Sequence, residues 1–165
     1  MIAVPQAAVE LAKRFEGFHR VPKNDPGRAY PYVCPAGYWT IGWGHLCDQN
    51  HPPVTEAEAD AYLAADLMTA LAATLRYCPV LATEPEGRLA AIVDFTFNLG
   101  AGRLQTSTLR RCINQMDWPS AAVVLRKWVH GGGRVLPGLV TRREAEALQL
   151  LNDSTFRSSN LQTSG

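Results

Sequence analysis

The sequence predicts a mainly helical α+β fold, with a small β-hairpin lobe and a larger helical lobe joined by one long helix. Three observations predict it. Aromatic and β-branched residues broken up by Pro22, Pro26, Gly27, Pro31, Pro35 and Gly37 are confined to one stretch ending in Thr40-Ile41-Gly42-Trp43-Gly44-His45. Directly after it, Thr55-Glu56-Ala57-Glu58 has the form of a capping box, whose side chains satisfy the free backbone donors of a helix start. Beyond that, helical patterns alternate with Gly and Pro punctuation to about residue 151.

Taken in order, an amphipathic helix is expected over about 5–18, with Val9, Leu11, Ala12 and Phe15 on its buried face and Glu16 near its end. A loop and a small antiparallel sheet follow, the one β region the sequence supports. The long helix runs over about 55–77, with Leu63, Leu67, Leu71 and Leu75 at four-residue spacing and Pro79 as its stop. Further helices are expected at about 85–99, closed by Gly100, then at 107–115, 119–130 (capped by Asp117 or Trp118) and 139–151. Gly131-Gly132-Gly133 and Pro137-Gly138 mark mobile or tightly turning backbone, and the second lobe is read as all helix. The expected division is one domain over 1–153: a β-containing lobe at about 20–54, an interlobe helix at 55–77, and a helical lobe made of 78–153 and the first helix. The polar stretch 154–165 lacks apolar periodicity and is expected to be disordered.

Composition excludes several classes. With 165 residues, 47% of them hydrophobic, the chain can bury a core. Its formal charge of +1 hides an asymmetry, because 48–94 is mostly acidic while 103–143 is basic with only Asp117 against it. The basic run suits either an anionic polymer or a solvated helix surface, and without interleaved aromatics it does not read as a nucleic-acid site. Cys34, Cys47, Cys78 and Cys112 have neither C-x-x-C spacing nor paired histidines, so no metal or other cofactor is expected. Residues 1–13 lack the pattern of a secretory signal, and no segment reaches about 18 apolar residues. Stable membrane insertion is therefore not expected, and the thiols are read as reduced in a cytoplasmic chain.

Four motifs in order carry a family resemblance: Phe-Glu-Gly at 15–17, Cys-Pro-Ala-Gly-Tyr-Trp-Thr-Ile-Gly-Trp-Gly-His at 34–45, Phe-Asn-Leu-Gly at 97–100, and Gly-Leu-Val-Thr-Arg-Arg-Glu-Ala-Glu at 138–146. Together they resemble the phage-type lysozymes, or endolysins, from about Val4 to Leu151. The resemblance implies a lysozyme-like two-lobed fold and hydrolysis of the β-1,4 bond between N-acetylmuramic acid and N-acetylglucosamine in peptidoglycan glycan strands. A monomer held in the host cytoplasm, then given access to the wall by a holin, is also implied. Two other functions stay open: a lytic transglycosylase on the same bond, and a non-catalytic peptidoglycan-binding module.

The resemblance places the proton-donating glutamate at Glu16. A glycosidic oxygen leaves poorly unless protonated, and a carboxyl keeps its proton at neutral pH when desolvated, which Phe15 and Phe18 would favour. Read alone, Glu16 is an exposed residue at a helix end. Thr40 matches the family's hairpin threonine, positioned to hold the attacking water. The family's usual aspartate stands nine residues after the glutamate and six before the threonine. Here the forward count reaches Asp25 and the backward count reaches Cys34. An insertion of about nine residues within 19–31 reconciles the two and leaves Cys34 in the site. A thiolate can carry negative charge beside an oxocarbenium-like centre, accept a proton from water, or attack the anomeric carbon.

Supporting positions carry over as well. Asn98 stands where the family lines the cleft from the helical lobe. Gly42 and Gly44 permit close backbone approach, to the sugar or to the long helix, and His45 suits a bond across to the helical lobe. One of Arg142 and Arg143 is expected to approach Glu16 and the other to meet a carboxylate such as Glu146. Asp94 is read as the buried partner of an arginine or of His45, and Trp43, Trp118 and Trp128 as core staples or sugar platforms.

Overall fold

The computed structural model describes residues 1–152, so the tail reading for 154–165 falls outside the described residues. The first helix, α1, covers Gln6–Glu16 and buries Ala8, Leu11 and Ala12. Val9 and Phe15 are only partly buried. The helix stops two residues earlier than its apolar pattern suggests because Gly17 takes φ 70°, a left-handed conformation natural to glycine. A Cβ at Gly17 would also meet the His19 ring at 2.8 Å. Glu16 is thus the last residue of α1.

Five short strands follow. β1 (Arg28–Ala29) pairs antiparallel with β5 (Val54–Thr55), tying the loop after α1 to the start of the long helix. β2 (Tyr32–Val33), β3 (Trp39–Ile41) and β4 (His45–Leu46) form a separate meander in the order β2-β3-β4. Its register pairs Tyr32 with Thr40 and Thr40 with Leu46. Ala29, Ile41, Val54 and Ala59 form a small core here, packed by Phe18, Trp43, Cys47 and Tyr62.

The long helix α2 covers Glu56–Tyr77 and starts at the expected box: Thr55 accepts from the Glu58 backbone, and the Glu58 side chain accepts from the Thr55 N–H. Its stripe of Leu63, Leu67 and Leu71 is buried, and Leu75 packs at the edge of the main core. After a 3₁₀ turn at Pro79–Ala82 comes α3 (Glu86–Leu99), buried continuously from Arg88 to Thr96 and packed against α1, α2 and α7. α4 (Ala101–Gln105), α5 (Thr108–Asn114), α6 (Trp118–Leu125) and α7 (Pro137–Leu151) complete the helical part.

Three expectations need correction. α4 is an additional short helix. α6 ends at Leu125, not near 130. Residues 78–152 are not all helix, because β6 (His130–Gly131) and β7 (Arg134–Val135) form a hairpin. Its two-residue loop is Gly132-Gly133, with φ 58° and 76°, and two central residues of positive φ match the right-handed twist of paired strands. The glycine run is therefore a tight turn. All four cysteines are free; Cys78 and Cys112 belong to the core, and burial pushes the Cys78 thiol up to about 12.

Candidate active site

Glu16 emerges at the end of α1 beside the meander, held from two sides. Arg142 on α7 donates from Nη1 to Glu16 Oε1 at 2.6 Å. On the other side Gly44, at φ 86°, brings its backbone so close that an added Cβ would stand 2.9 Å from Glu16 Oε2. The two carboxyl oxygens are thereby distinguished: Oε1 is tied to the helical lobe, and Oε2 lies against the hairpin. The surroundings differ from the apolar wall expected of Phe15 and Phe18. Phe18 packs on Trp43, and Phe15 lies against the Arg142 guanidinium, 5.6 Å from its centroid. Gly44→Ala is expected to displace the Glu16 carboxyl and to strain the hairpin. Lysis rates should fall at least about tenfold, in keeping with the sensitivity of catalysis to misplacement of about 1 Å.

Arg142 is buried and fully engaged. Its Nε and Nη2 donate to both oxygens of Asp94 at 2.9 and 2.8 Å, and Phe97 covers it from another side. Burial works against the cation, and the carboxylates of Asp94 and Glu16 more than offset it, raising the pKa of Arg142. Arg143 instead donates from Nη2 to Glu146 at 2.6 Å and to Asn98 at 2.9 Å. Which arginine approaches Glu16 is thus resolved, and Asp94 is the partner of Arg142. Asn98 spends its carbonyl on Arg143, leaving its amide N–H groups as the part free of that bond.

The meander supplies the other face. Side chains alternate along a strand, and directly paired residues share a side, so Tyr32, Thr40 and Leu46 lie on one face of the sheet. Cys34 lies one residue beyond β2, where the turn carries the pairing on: Cys34 N–H donates to Tyr38 O at 2.9 Å and Gly37 N–H donates to Cys34 O at 2.8 Å. The buried Thr40 hydroxyl has the carbonyls of Tyr32 and Tyr38 as acceptors, both at 3.3 Å, so Oγ1 keeps lone pairs to accept from a water. Tyr32, which sequence reasoning passed over, lies within the electrostatic reach of both Glu16 and Cys34. Its phenol is raised by burial, opposed by a hydrogen bond to Thr40, with the charges of Glu16 and Cys34 adding to the rise. The available signal was its position two residues before Cys34 on a strand. Asp25 lies off the meander, where its carboxylate accepts from the Tyr30 hydroxyl at 2.9 Å.

A cavity of about 310 Å³ opens between β4, α2 and the α3–α4 junction, lined by Gly44, His45, Leu46, Asp66, Thr69, Phe97 and Ala101 among others. His45 is fixed at its edge, donating from Nδ1 to Asp66 on α2 at 2.8 Å and stacking on Tyr62 at 4.4 Å. Gly42 is not on the cavity wall. It is buried with φ 60°, and a Cβ there would stand 2.7 Å from the Ala59 Cβ of α2, so close packing on the helix is its structural place. Trp43 is a staple, donating to Asp60 on α2 at 2.8 Å with Lys13 of α1 over its ring. Trp118 and Trp128 are likewise covered, by Arg88 and by Phe95 with Arg103. Within the basic run, Arg142 and Arg143 are buried, and Arg126 is engaged by Glu144 at 2.7 and 3.0 Å.

The family model described as phage lysozyme matches residues 13–146. The SAR-endolysin of Bacteriophage PS34 is 40% identical over 121 residues, 72% of this chain and 71% of that protein. The endolysin of Bacillus phage B103 is 34% identical over 145 residues, covering 87% of this chain but 52% of the phage protein, so the chain spans about half that relative's length. Among solved structures, the muramidase domain of SpmX from Asticaccaulis excentricus matches with a TM-score of 0.75 at 28% identity, covering 92% of this chain and 99% of that one. The family model over most of the chain and the relative at 40% identity show that the chain belongs to the phage lysozyme family.

Proposed function

We propose that the protein is an endolysin that hydrolyses the β-1,4 bond between N-acetylmuramic acid and N-acetylglucosamine, with Glu16 as general acid. The observation that carries this reading is the two-sided grip on Glu16, which ties Oε1 to Arg142 and leaves Oε2 against the Gly44 edge of the cavity. A proton on Oε2 is compatible with that grip, because Oε1 accepts from Arg142 whether the carboxyl is neutral or charged. The glycan strand runs along the cavity between the hairpin and the helical lobe. Glu16 protonates the glycosidic oxygen as the bond breaks, and positive charge develops at the anomeric carbon. Thr40 accepts a hydrogen bond from the attacking water. Cys34, one residue beyond β2, takes the place of the family's aspartate, accepting the water's proton or facing the developing charge. Asn98, through its amide, and the His45 edge contact the sugar, and Arg142 fixes Glu16.

The catalytic unit of this proposal is 1–153, acting as a monomer. Release from the host cytoplasm through a holin belongs to the same proposal, and family membership is its support. Among the described residues, no helix is long and apolar enough to cross a membrane. Mass spectrometry of fragments released from purified sacculi tests the reaction. Hydrolysis yields reducing N-acetylmuramic acid ends, whereas anhydro-muramic ends as the main product would replace hydrolysis with transglycosylation.

A further inference from the structure

To act as an acid Glu16 must take up a proton, yet the charged group bonded to it is a guanidinium, which favours the carboxylate. The geometry points to Asp94 as the positioning residue that keeps Glu16 protonatable, by engaging the Arg142 cation from its other edge. This rests on the general-acid role proposed above.

Five side chains form one cluster behind the site: Glu16 from α1, Asp94 from α3, and Arg142, Arg143 and Glu146 from α7. Asp94 and Glu146 are fully buried, as is Arg143. Two guanidiniums face three carboxyls, and of these Glu16 reaches water while Asp94 and Glu146 do not. A carboxyl shut away from water is pushed towards its neutral form, and Glu146 is the one so held. Burial pushes its carboxyl well above the usual carboxylate range, and the charge of Asp94 and a hydrogen bond to Asp94 add to the rise, against the pull of Arg143 and Arg142. Its Oε1 accepts from Arg143, and no donor reaches the buried Oε2, so nothing there favours the charged form.

With Glu146 neutral and Arg143 held beside it, Asp94 and Arg142 form a bidentate pair of no net charge, its guanidinium lying against the rings of Phe15 and Phe97. Glu16 then bonds to one edge of a neutralised pair and not to a bare cation. On the sheet side, Tyr32 lies within electrostatic reach of Glu16, as it does of Cys34 and Arg20. On α1 itself, Arg14 lies over Phe15 and Lys13 is engaged by Asp60 of α2. Asp94 acts on Glu16 through Arg142, so its removal changes when Glu16 is protonated as well as how firmly it is held.

The test is the pH profile of sacculus lysis by the whole chain as wild type, Asp94→Asn and Asp94→Asn/Glu146→Gln, with folding followed by circular dichroism. Asp94→Asn is expected to move the alkaline limb to lower pH. The double variant should move it further, by about one pH unit or more, because Glu146 can no longer ionise in place of Asp94. Alkaline limbs coinciding with wild type in both variants, with only a uniform loss of rate, overturn the proposal. Should the variants not fold, the ¹³C carboxyl resonance of Glu146 in the wild type decides. A protonated shift at neutral pH is expected, and an ionised one overturns the charge assignment. Coinciding limbs alongside an inactive Glu16→Gln sink only the role of Asp94, whereas an active Glu16→Gln sinks the acid itself.

Discussion

Glu16→Gln is expected to lower the lysis rate by about 10²- to 10⁴-fold, the usual contribution of a general acid, while leaving the fold intact. Glutamine keeps the shape of the side chain and an Oε1 that still accepts from Arg142. Its amide replaces the oxygen lying against Gly44, which is the one that delivers the proton in the proposed mechanism. Stability should change little. Arg142 retains both bonds to Asp94, and the Glu16 side chain is 23% exposed, so solvent moderates the loss of one ion pair. A turbidity assay on cells with permeabilised outer layers, paired with a thermal melt, separates the two effects. Near wild-type lysis by a folded Glu16→Gln protein removes the acid from the mechanism.

Arg142→Leu is expected to be the most destabilising single change at the site, by about 3–5 kcal/mol, because it leaves Asp94 buried without its bidentate partner. For a chain of this size that corresponds to a fall in Tm on the order of 10 °C. Glu16 contributes less to this penalty because water reaches it. The double variant Arg142→Leu/Asp94→Leu should recover much of the lost stability, since a buried pair replaced by apolar groups costs far less than one left half-removed. It should recover none of the activity. A single variant that melts with wild type would show that Asp94 finds another partner.

How much of this was legible in the sequence depended on the range of the signal. The α2 start was plain because a capping box is local, with Thr55 and Glu58 three residues apart. The place of Cys34 beside the meander was legible from its six-residue step to Thr40, because a turn carries the pairing on past β2. The β1–β5 pair was not, since two-residue strands far apart in sequence leave no periodic trace. The β6–β7 hairpin was hidden by its own glycines, which suit a loose loop as well as a tight turn. Which arginine meets Glu16 was undetermined because adjacent helical residues point about 100° apart, and only packing against α1 and α3 shows which direction faces the cleft. The pairing of Asp94 with Arg142 needed the same tertiary information, as did the guanidinium where an apolar wall was expected.

In the proposed mechanism the catalytic face is built from the meander, with Cys34 where the family usually places aspartate, and not from the loop that carries Asp25. Lysis rates of Cys34→Ser and Asp25→Asn, measured side by side with matched folding controls, test it most directly. A loss of at least about tenfold is expected for Cys34→Ser, whose hydroxyl stays neutral where a thiol can ionise, and near wild-type lysis for Asp25→Asn. A fully active Cys34→Ser beside a dead Asp25→Asn would contradict it.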